Sequence, residues 1–214
     1  MSKTPIIFIT NKMMMRFFTL LVAVACLASC TNCIEGTGSA VEEKRAILEF
    51  TEIELLCSAD VSIHQNLVPE APYLIVYAQE NLLPLIKTTL KGDKLVVDLE
   101  GCVNSTEQIL IEVYSNSISK ISNDGSGNIY SIGTVKFESL AVNLDGSGSI
   151  ELDLSGDELE LELNGSGGIE VSGEATSGNF SLDGSGSIKA IDLAMNSGDV
   201  ECNGSGSISL YVKE

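Results

Sequence analysis

Asp124-Gly-Ser-Gly127, Asp145-Gly-Ser-Gly148, Asn164-Gly-Ser-Gly167, Asp183-Gly-Ser-Gly186 and Asn203-Gly-Ser-Gly206 follow one another at intervals of 21, 19, 19 and 20 residues. A fixed period near 20 is too short for a pair of helices and fits one coil of stacked strands. Where the repeat is regular, apolar residues stand three and one positions before the Asp or Asn: Val142 and Leu144, Leu161 and Leu163, Phe180 and Leu182, Val200 and Cys202. Five positions after it comes an isoleucine, giving Ile129, Ile150, Ile169, Ile188 and Ile208. Residues two apart share one face of a strand, and a turn that keeps parity returns the isoleucine to that face. One coil cannot bury such a stripe alone. Coils stacked roughly 4.8 Å apart would pile like on like into a narrow continuous core. The prediction is an all-β fold, a β-solenoid of the parallel β-helix kind with the five isoleucines as its core ladder.

The turns carry their own expectations. Two glycines in each allow positive φ and close approach of neighbouring backbones. Asp, Asn and Ser are the residues that cap local N–H groups through Asx-type and Ser-type bonds. Asp124, Asp145, Asn164, Asp183 and Asn203 are therefore read as a structural turn ladder in which the amides soften repulsion between stacked carboxylates. Each turn offers a single carboxylate, too few for the six to eight oxygens of a calcium site, and none opens a helix or carries the lysine of a phosphate loop. No metal or cofactor is expected. A second turn column is read at Ser155-Gly156-Asp157, Ser177-Gly178-Asn179 and Ser197-Gly198-Asp199, which predicts a flattened coil with two turns.

The start of the chain reads differently. Lys12 and Arg16 precede the apolar run Phe17 to Leu27, which ends in Leu27-Ala-Ser-Cys30. The run is short of the roughly 20 residues that span a bilayer. Residues 1–29 are expected to be a signal peptide, and the final tetrad resembles the bacterial lipoprotein signal, in which the cysteine, here Cys30, is lipidated. Residues 30–40 would be a tether, 41–120 an N-terminal β-rich part and 121–214 the regular repeat. The expected product is an outer-membrane lipoprotein held to the membrane by acyl chains, facing the periplasm or the cell surface.

The formal net charge is −18, and the leader removes three of the 12 basic residues and none of the 30 acidic ones. That balance excludes nucleic acid as a partner and an electrostatic grip on anionic lipid. With Cys26 in the leader and Cys30 lipidated, Cys33, Cys57, Cys102 and Cys202 remain, in a compartment that permits disulfides. Cys57 with Cys102 is one candidate bridge. Cys202 falls in the column of Leu144, Leu163 and Leu182 and is expected to be a small buried thiol.

Before the repeats, strands are expected at Ala46–Phe50, Ile53–Leu56, Ala59–Ile63, Tyr73–Tyr77, Leu95–Leu99 and Ile109–Tyr114, from their two-residue period and β-branched or aromatic content. Lys91-Gly-Asp-Lys94 is a hairpin-like turn, and Pro84 limits Glu80–Ile86 to a turn or two of helix. This half either continues the stack irregularly or covers its end, since an uncovered strand edge invites aggregation.

Val41-Glu-Glu-Lys-Arg45, Phe50-Thr-Glu-Ile53, Ser58-Ala-Asp-Val-Ser-Ile-His-Gln65, Glu80-Asn-Leu-Leu83, Gly92-Asp-Lys-Leu-Val96 and the Gly-Ser-Gly repeats together resemble the head GIN domain of putative auto-transporter adhesins. The likeness runs over residues 34–212. It implies an exported β-helix-like protein with no catalytic residues to carry over.

The residues point the same way. His64 is the only histidine, so neither a two-histidine metal site nor a Ser-His-Asp arrangement can be assembled within one chain. Glu151, Asp153, Glu158, Glu160, Glu162 and Glu170 alternate with apolar residues as solvated faces do, although acids on a β-helix face are also what a pectinase-like enzyme would use. Eleven aromatic residues and no tryptophan disfavour an aromatic platform for sugars. The expected function is a non-enzymatic binding or adhesion module, with a glycan or protein ligand on an extended β face; the alternatives are a polysaccharide-acting enzyme or a structural lipoprotein of the periplasm.

Overall fold

A computed structural model describes residues 33–66 and 70–213, so the leader and Cys30 lie outside the described residues. The chain is a β-solenoid with coils of about 20 residues. Its regular part is made by β11 (Asn128–Leu144), β12 (Ser149–Leu163), β13 (Gly168–Leu182), β14 (Ser187–Cys202) and β15 (Ser207–Val212), all parallel, each joined to the next by one Gly-Ser-Gly turn. Ile129, Ile150, Ile169, Ile188 and Ile208 are successive register partners. The column continues below them through Val61 and Ile111. A second column runs Leu55, Asn123, Leu144, Leu163, Leu182 and Cys202. Asn123 is fully buried in that apolar column because the first turn consumes its amide: Nδ2 donates to Gly127 O and Oδ1 accepts from Gly125 N.

The turns hold together by backbone, not by capping. Asp145 N donates to Asn123 O, Ser147 N to Gly125 O, Asp183 N to Leu163 O and Ser185 N to Gly165 O. The Asp and Asn side chains of the ladder project into solvent, and Asn164 Nδ2 reaches Asp145 Oδ1 on the coil below at 2.8 Å. These turn donors go to the neighbouring coil, and a side-chain bond to a turn N–H is made in the first turn, by Asn123 Oδ1 to Gly125 N. Positive φ is not the reason for the glycines either; Gly184, at φ 158°, is nearly extended, and no other turn glycine has positive φ. A Cβ on Gly146, Gly165 or Gly204 would run into the carbonyl oxygen of Gly125, Gly146 or Gly184 in the coil beneath. Close approach alone selects glycine here.

The second turn column is not one column. Gly178 stacks on Gly198, but Gly156 lies beside Ala175 and Met195, three residues out of step. Strand register runs through these bends unshifted although one pair is skipped at each, and inward parity breaks there, from Leu154 to Leu159 in β12. Positive φ at Gly133 (80°) in β11 and at Gly173 (103°) in β13 marks further irregularities within the coils.

The N-terminal half both continues the stack and closes it. β3 (Glu52–Leu55) and β4 (Asp60–Gln65) form one coil; β7 (Lys94–Leu99) and β9 (Leu110–Ser115) form another beneath it; β10 (Lys120–Asn123) returns above β3. The coil first in sequence is therefore second in the stack. Antiparallel strands finish the end: β5 (Tyr73–Gln79) on β9, β2 (Ala40–Ala46) on β5, and β6 (Ile86–Lys91) on β7, with a 3₁₀ segment at Glu80–Leu85. Arg45 ties these pieces across the core end. Its guanidinium donates to Leu83 O, Ile86 O and Thr88 Oγ1, and pairs with Glu43 at 2.7 Å. The strand expected at Ala46–Phe50 lies earlier, as β2, and the following segment buries Phe50 instead.

Residues read as a tether are tied down from Cys33 onward. β1 (Ile34–Glu35) pairs with β8 (Val103–Asn104), and Cys33 bonds to Cys102, replacing the Cys57–Cys102 candidate. Cys57 is a free thiol at the turn position directly under Gly125, where burial pushes its pKa up. Cys202 is exposed rather than buried, since β15 does not extend over the last stretch of β14.

Gly165→Ala is expected to lose about 2 kcal/mol of stability from the collision with Gly146 O, whereas Gly168→Ala, whose Cβ would meet nothing nearer than 3.7 Å, changes it by a few tenths, as read by chemical denaturation. Cys102→Ser opens a cross-link between residues 69 apart and is expected to cost roughly 2–4 kcal/mol in the same measurement.

Candidate binding faces

Because inward positions are committed to the core, any site on this solenoid is built from outward positions, which recur in columns from coil to coil. The acids singled out in the sequence separate into two shallow hollows. Glu160 and Glu162 of β12 share a hollow of 480 Å³ with Asp199 and Glu201 of β14, across Asn179 and Ser181 of β13. Glu162 accepts from Asn164 Nδ2 and Glu201 from Asn203 Nδ2. Glu151, Asp153 and Glu170 line a smaller hollow with Asp192. Here Asp153 accepts from Thr134 Oγ1 at 2.7 Å and Glu170 pairs with Lys189 at 3.3 Å. Glu158 stands at the bend between faces, in register with Ser177. Among the described residues no three His, Cys, Asp or Glu side chains converge as metal ligands.

The aromatic residues are distributed unevenly, and the total count concealed this. Tyr73 and Tyr77 of β5, Tyr114 of β9, Tyr130 of β11 and His64 of β4 all project from one outward face, half-buried. Parallel and antiparallel registers put Tyr73, Tyr114 and His64 in one column. Their rings stack, with centroids 4.4 Å apart and planes 11° and 15° from parallel. Lys44 of β2 sets its Nζ over the far side of Tyr73, 3.6 Å from the ring centroid. That is a cation–π contact. In the next column Ile75, Glu112, Ser62 and Tyr130 follow one another, so Glu112 lies in the middle of the patch.

Glu112 organises the hydroxyls. Tyr114 donates to Glu112 Oε2 at 3.1 Å, and the charge of the same carboxylate acts on Tyr77. Tyr130 stands in register beside Ser62, whose hydroxyl is 3.3 Å from His64 Nε2. Burial first, then the bond to and charge of Glu112, push the Tyr114 pKa up to about 12. Burial and the neighbouring carboxylates of Glu112 and Glu42 raise Tyr77, and burial lowers His64 against an opposing pull from Glu112. His64, which read as a lone histidine at a strand end, is one member of this cluster.

A folded-state pKa raised above its unfolded value gives stability that is present below the unfolded value and lost as pH rises toward the folded one. For Tyr114 that window runs from about 10 to about 12. Ultraviolet titration of the phenols is expected to show one tyrosine ionising late, and Tyr114→Phe is expected to remove that phase and the matching loss of stability.

Several crystal structures share this architecture. One described as a putative adhesin from Bacteroides fragilis superposes with a TM-score of 0.71 at 16% identity, covering 83% of this chain and 100% of that one. A putative adhesin from Parabacteroides distasonis gives 0.64 at 21% identity over 83% and 84% of the two chains. A further protein from the same organism, described as a putative lipid binding protein, gives 0.64 at 23% identity over 84% and 100%. No curated protein matches. The family model for the putative auto-transporter adhesin, head GIN domain, matches residues 49–214, and the chain belongs to that family.

Proposed function

We propose that this protein is a lipid-anchored, non-catalytic binding module of the cell envelope, held by Cys30 and recognising its target through an outward solenoid face. The carrying observation is the repetition of outward side chains at coil spacing: Ser149, Gly168, Ser187 and Ser207 in one column, Glu151, Glu170, Lys189 and Ser209 in the next. A surface that repeats along its length meets a repetitive target at several points at once, and weak contacts then add as avidity. Family membership and the adhesin descriptions of the solved relatives support the reading. The leader ending in Leu27-Ala-Ser-Cys30 supports the anchor.

The hollow at Glu160, Glu162, Asp199 and Glu201 favours one rival, a polysaccharide-cleaving enzyme, because carboxylates from two strands face a common depression. Glycosidases need such a pair at a set separation, one acid and one base or nucleophile. The adjacent amides of Asn164 and Asn203 instead satisfy two of these acids from the side, as for solvated groups.

In cells making the full chain, Cys30→Ser is expected to move the protein from the membrane to the soluble fraction. Cells with the anchored protein are expected to be retained on glycan- or matrix-coated surfaces, and cells lacking it are not. Equal retention of both removes binding as the role. Release of reducing ends from a polysaccharide panel, abolished by Glu160→Gln or Asp199→Asn, would replace it with catalysis. Protease digestion of intact cells separates surface from periplasmic placement.

A further inference from the structure

We propose that the tyrosine face around Glu112 binds a neutral glycan chain; the inference rests on the binding role above and assigns that role a place and a ligand class. Outward positions on a β-solenoid carry no packing duty, and in the repeats they are filled mostly by Ser, Glu, Asp, Asn, Gly and Lys, with Ile132, Ile191 and Tyr211 as isolated exposed exceptions. On the four adjacent strands β5, β9, β4 and β11 they hold Tyr73, Tyr77, Tyr114, His64 and Tyr130 instead. Half-exposed tyrosines combine an apolar ring with a polar tip, the pairing that recurs wherever one side of a contact is apolar and the other wet.

Three features select the ligand. First, the polar tips are organised: Tyr114 donates to the Glu112 carboxylate, whose charge also acts on Tyr77, Tyr130 stands in register beside Ser62, and the Ser62 hydroxyl lies beside His64. An alternating set of hydroxyl donors and carboxylate acceptors suits a polyol, whose every hydroxyl both donates and accepts. Second, the charges exclude anions. Glu42, Asp60, Glu112 and Glu151 surround the rings and outnumber the one cation on the face, Lys44 over Tyr73; Lys189, farther along the column, pairs with Glu170. A sulfated or uronic glycan, a nucleic acid or an anionic lipid headgroup would meet like charge. Third, the surface is a sheet face running along the solenoid axis. From β5 to β11 it crosses three inter-strand steps, roughly 14 Å, which fits an extended oligosaccharide lying flat rather than a compact molecule in a pocket.

The chain has no tryptophan, so its intrinsic fluorescence comes from five tyrosines, of which this face holds four. Tyrosine emission of the Cys30→Ser protein is titrated with the neutral polysaccharides mannan and a β-glucan, with polygalacturonate, and with phosphatidylglycerol vesicles. A saturating change is expected with a neutral polysaccharide, at least tenfold weaker with the anionic one, and none with vesicles. In affinity electrophoresis through the same neutral polymer, Tyr77→Phe combined with Glu112→Gln is expected to reduce retardation at least tenfold, and Asp183→Asn to leave it unchanged. Both variants are first shown to melt as the parent does, and Tyr130→Phe provides an independent readout should the double variant fail that check. Absence of any response to neutral glycans, a stronger response to polygalacturonate or vesicles, or retardation that survives the face variants overturns the proposal. If cells carrying the face variants still adhere, the binding role stands and only this site is lost. If no form of the protein supports adhesion, the role itself fails.

Discussion

A carbonyl oxygen pressed into the space where a Cβ would otherwise stand fixes the rest of this molecule. At Gly125, Gly146, Gly165, Gly184 and Gly204 the turn of one coil lies directly on the turn beneath, so the position tolerates only hydrogen. That contact sets the phase of every coil relative to its neighbour. Once the turns are superposed, the residue five positions past each Asp or Asn must lie over its counterpart, and Ile stacks on Ile without any long-range recognition between them. The core is thus a consequence of the turn. A one-residue slip would throw every apolar side chain of a strand to the outside, and the glycine stack forbids it.

The same phase lock reaches the surface. Thr134 to Asp153, Ser155 to Glu174, Thr176 to Asp157, Asn164 to Asp145 and Lys189 to Glu170 are all side-chain bonds between residues 19 apart. Each carries a donor on one coil to a carboxylate on the next. In a chain of net charge −18, stacking identical columns would set carboxylates against each other. The variation within the repeat relieves this. Asp124 shows what remains where relief is incomplete: burial and the Asp145 charge above it raise its pKa.

The repeat wrote the regular coils, their period and their isoleucine column directly into the sequence, because there a local signal and the tertiary contact have the same spacing. The N-terminal half was legible only as separate strands. Its order in space, with the coil of β3 and β4 inserted between two coils that follow it in the chain, depends on pairings between distant segments that leave no periodic trace. Cys33 had no periodic spacing to mark it, and its bond to Cys102 follows from a loop path visible only in three dimensions. The bends at Ser155-Gly156-Asp157 and Ser177-Gly178-Asn179 looked alike as text and occupy different register positions, since Ser and Gly fit any outward bend. Tyr73, Tyr77, Tyr114 and Tyr130 lie on three strands separated by intervening segments. A count of aromatic residues dilutes them over the whole chain, whereas the β9 pairings gather them.

The position of that face along the axis bears on what it can reach. Cys33 is bonded to Cys102 and followed by β1 on β8, so the chain enters at the closed end of the solenoid, the end made by the antiparallel strands. Between Cys30 and Cys33 lie three peptide units, at most about 11 Å of extended chain. With an anchor at Cys30, the closed end would sit close to the lipid surface and the acidic repeats would point away from it. The tyrosine face begins on β5, next to the edge strand β2, and would therefore lie near the membrane rather than at the far tip. On that anchoring, a ligand held there would be one that itself lies along the envelope, such as a glycan of the same cell or of a closely apposed surface. The far coils, with Glu160, Glu162, Asp199 and Glu201 outward, would then act as a charged spacer that keeps neighbouring copies apart.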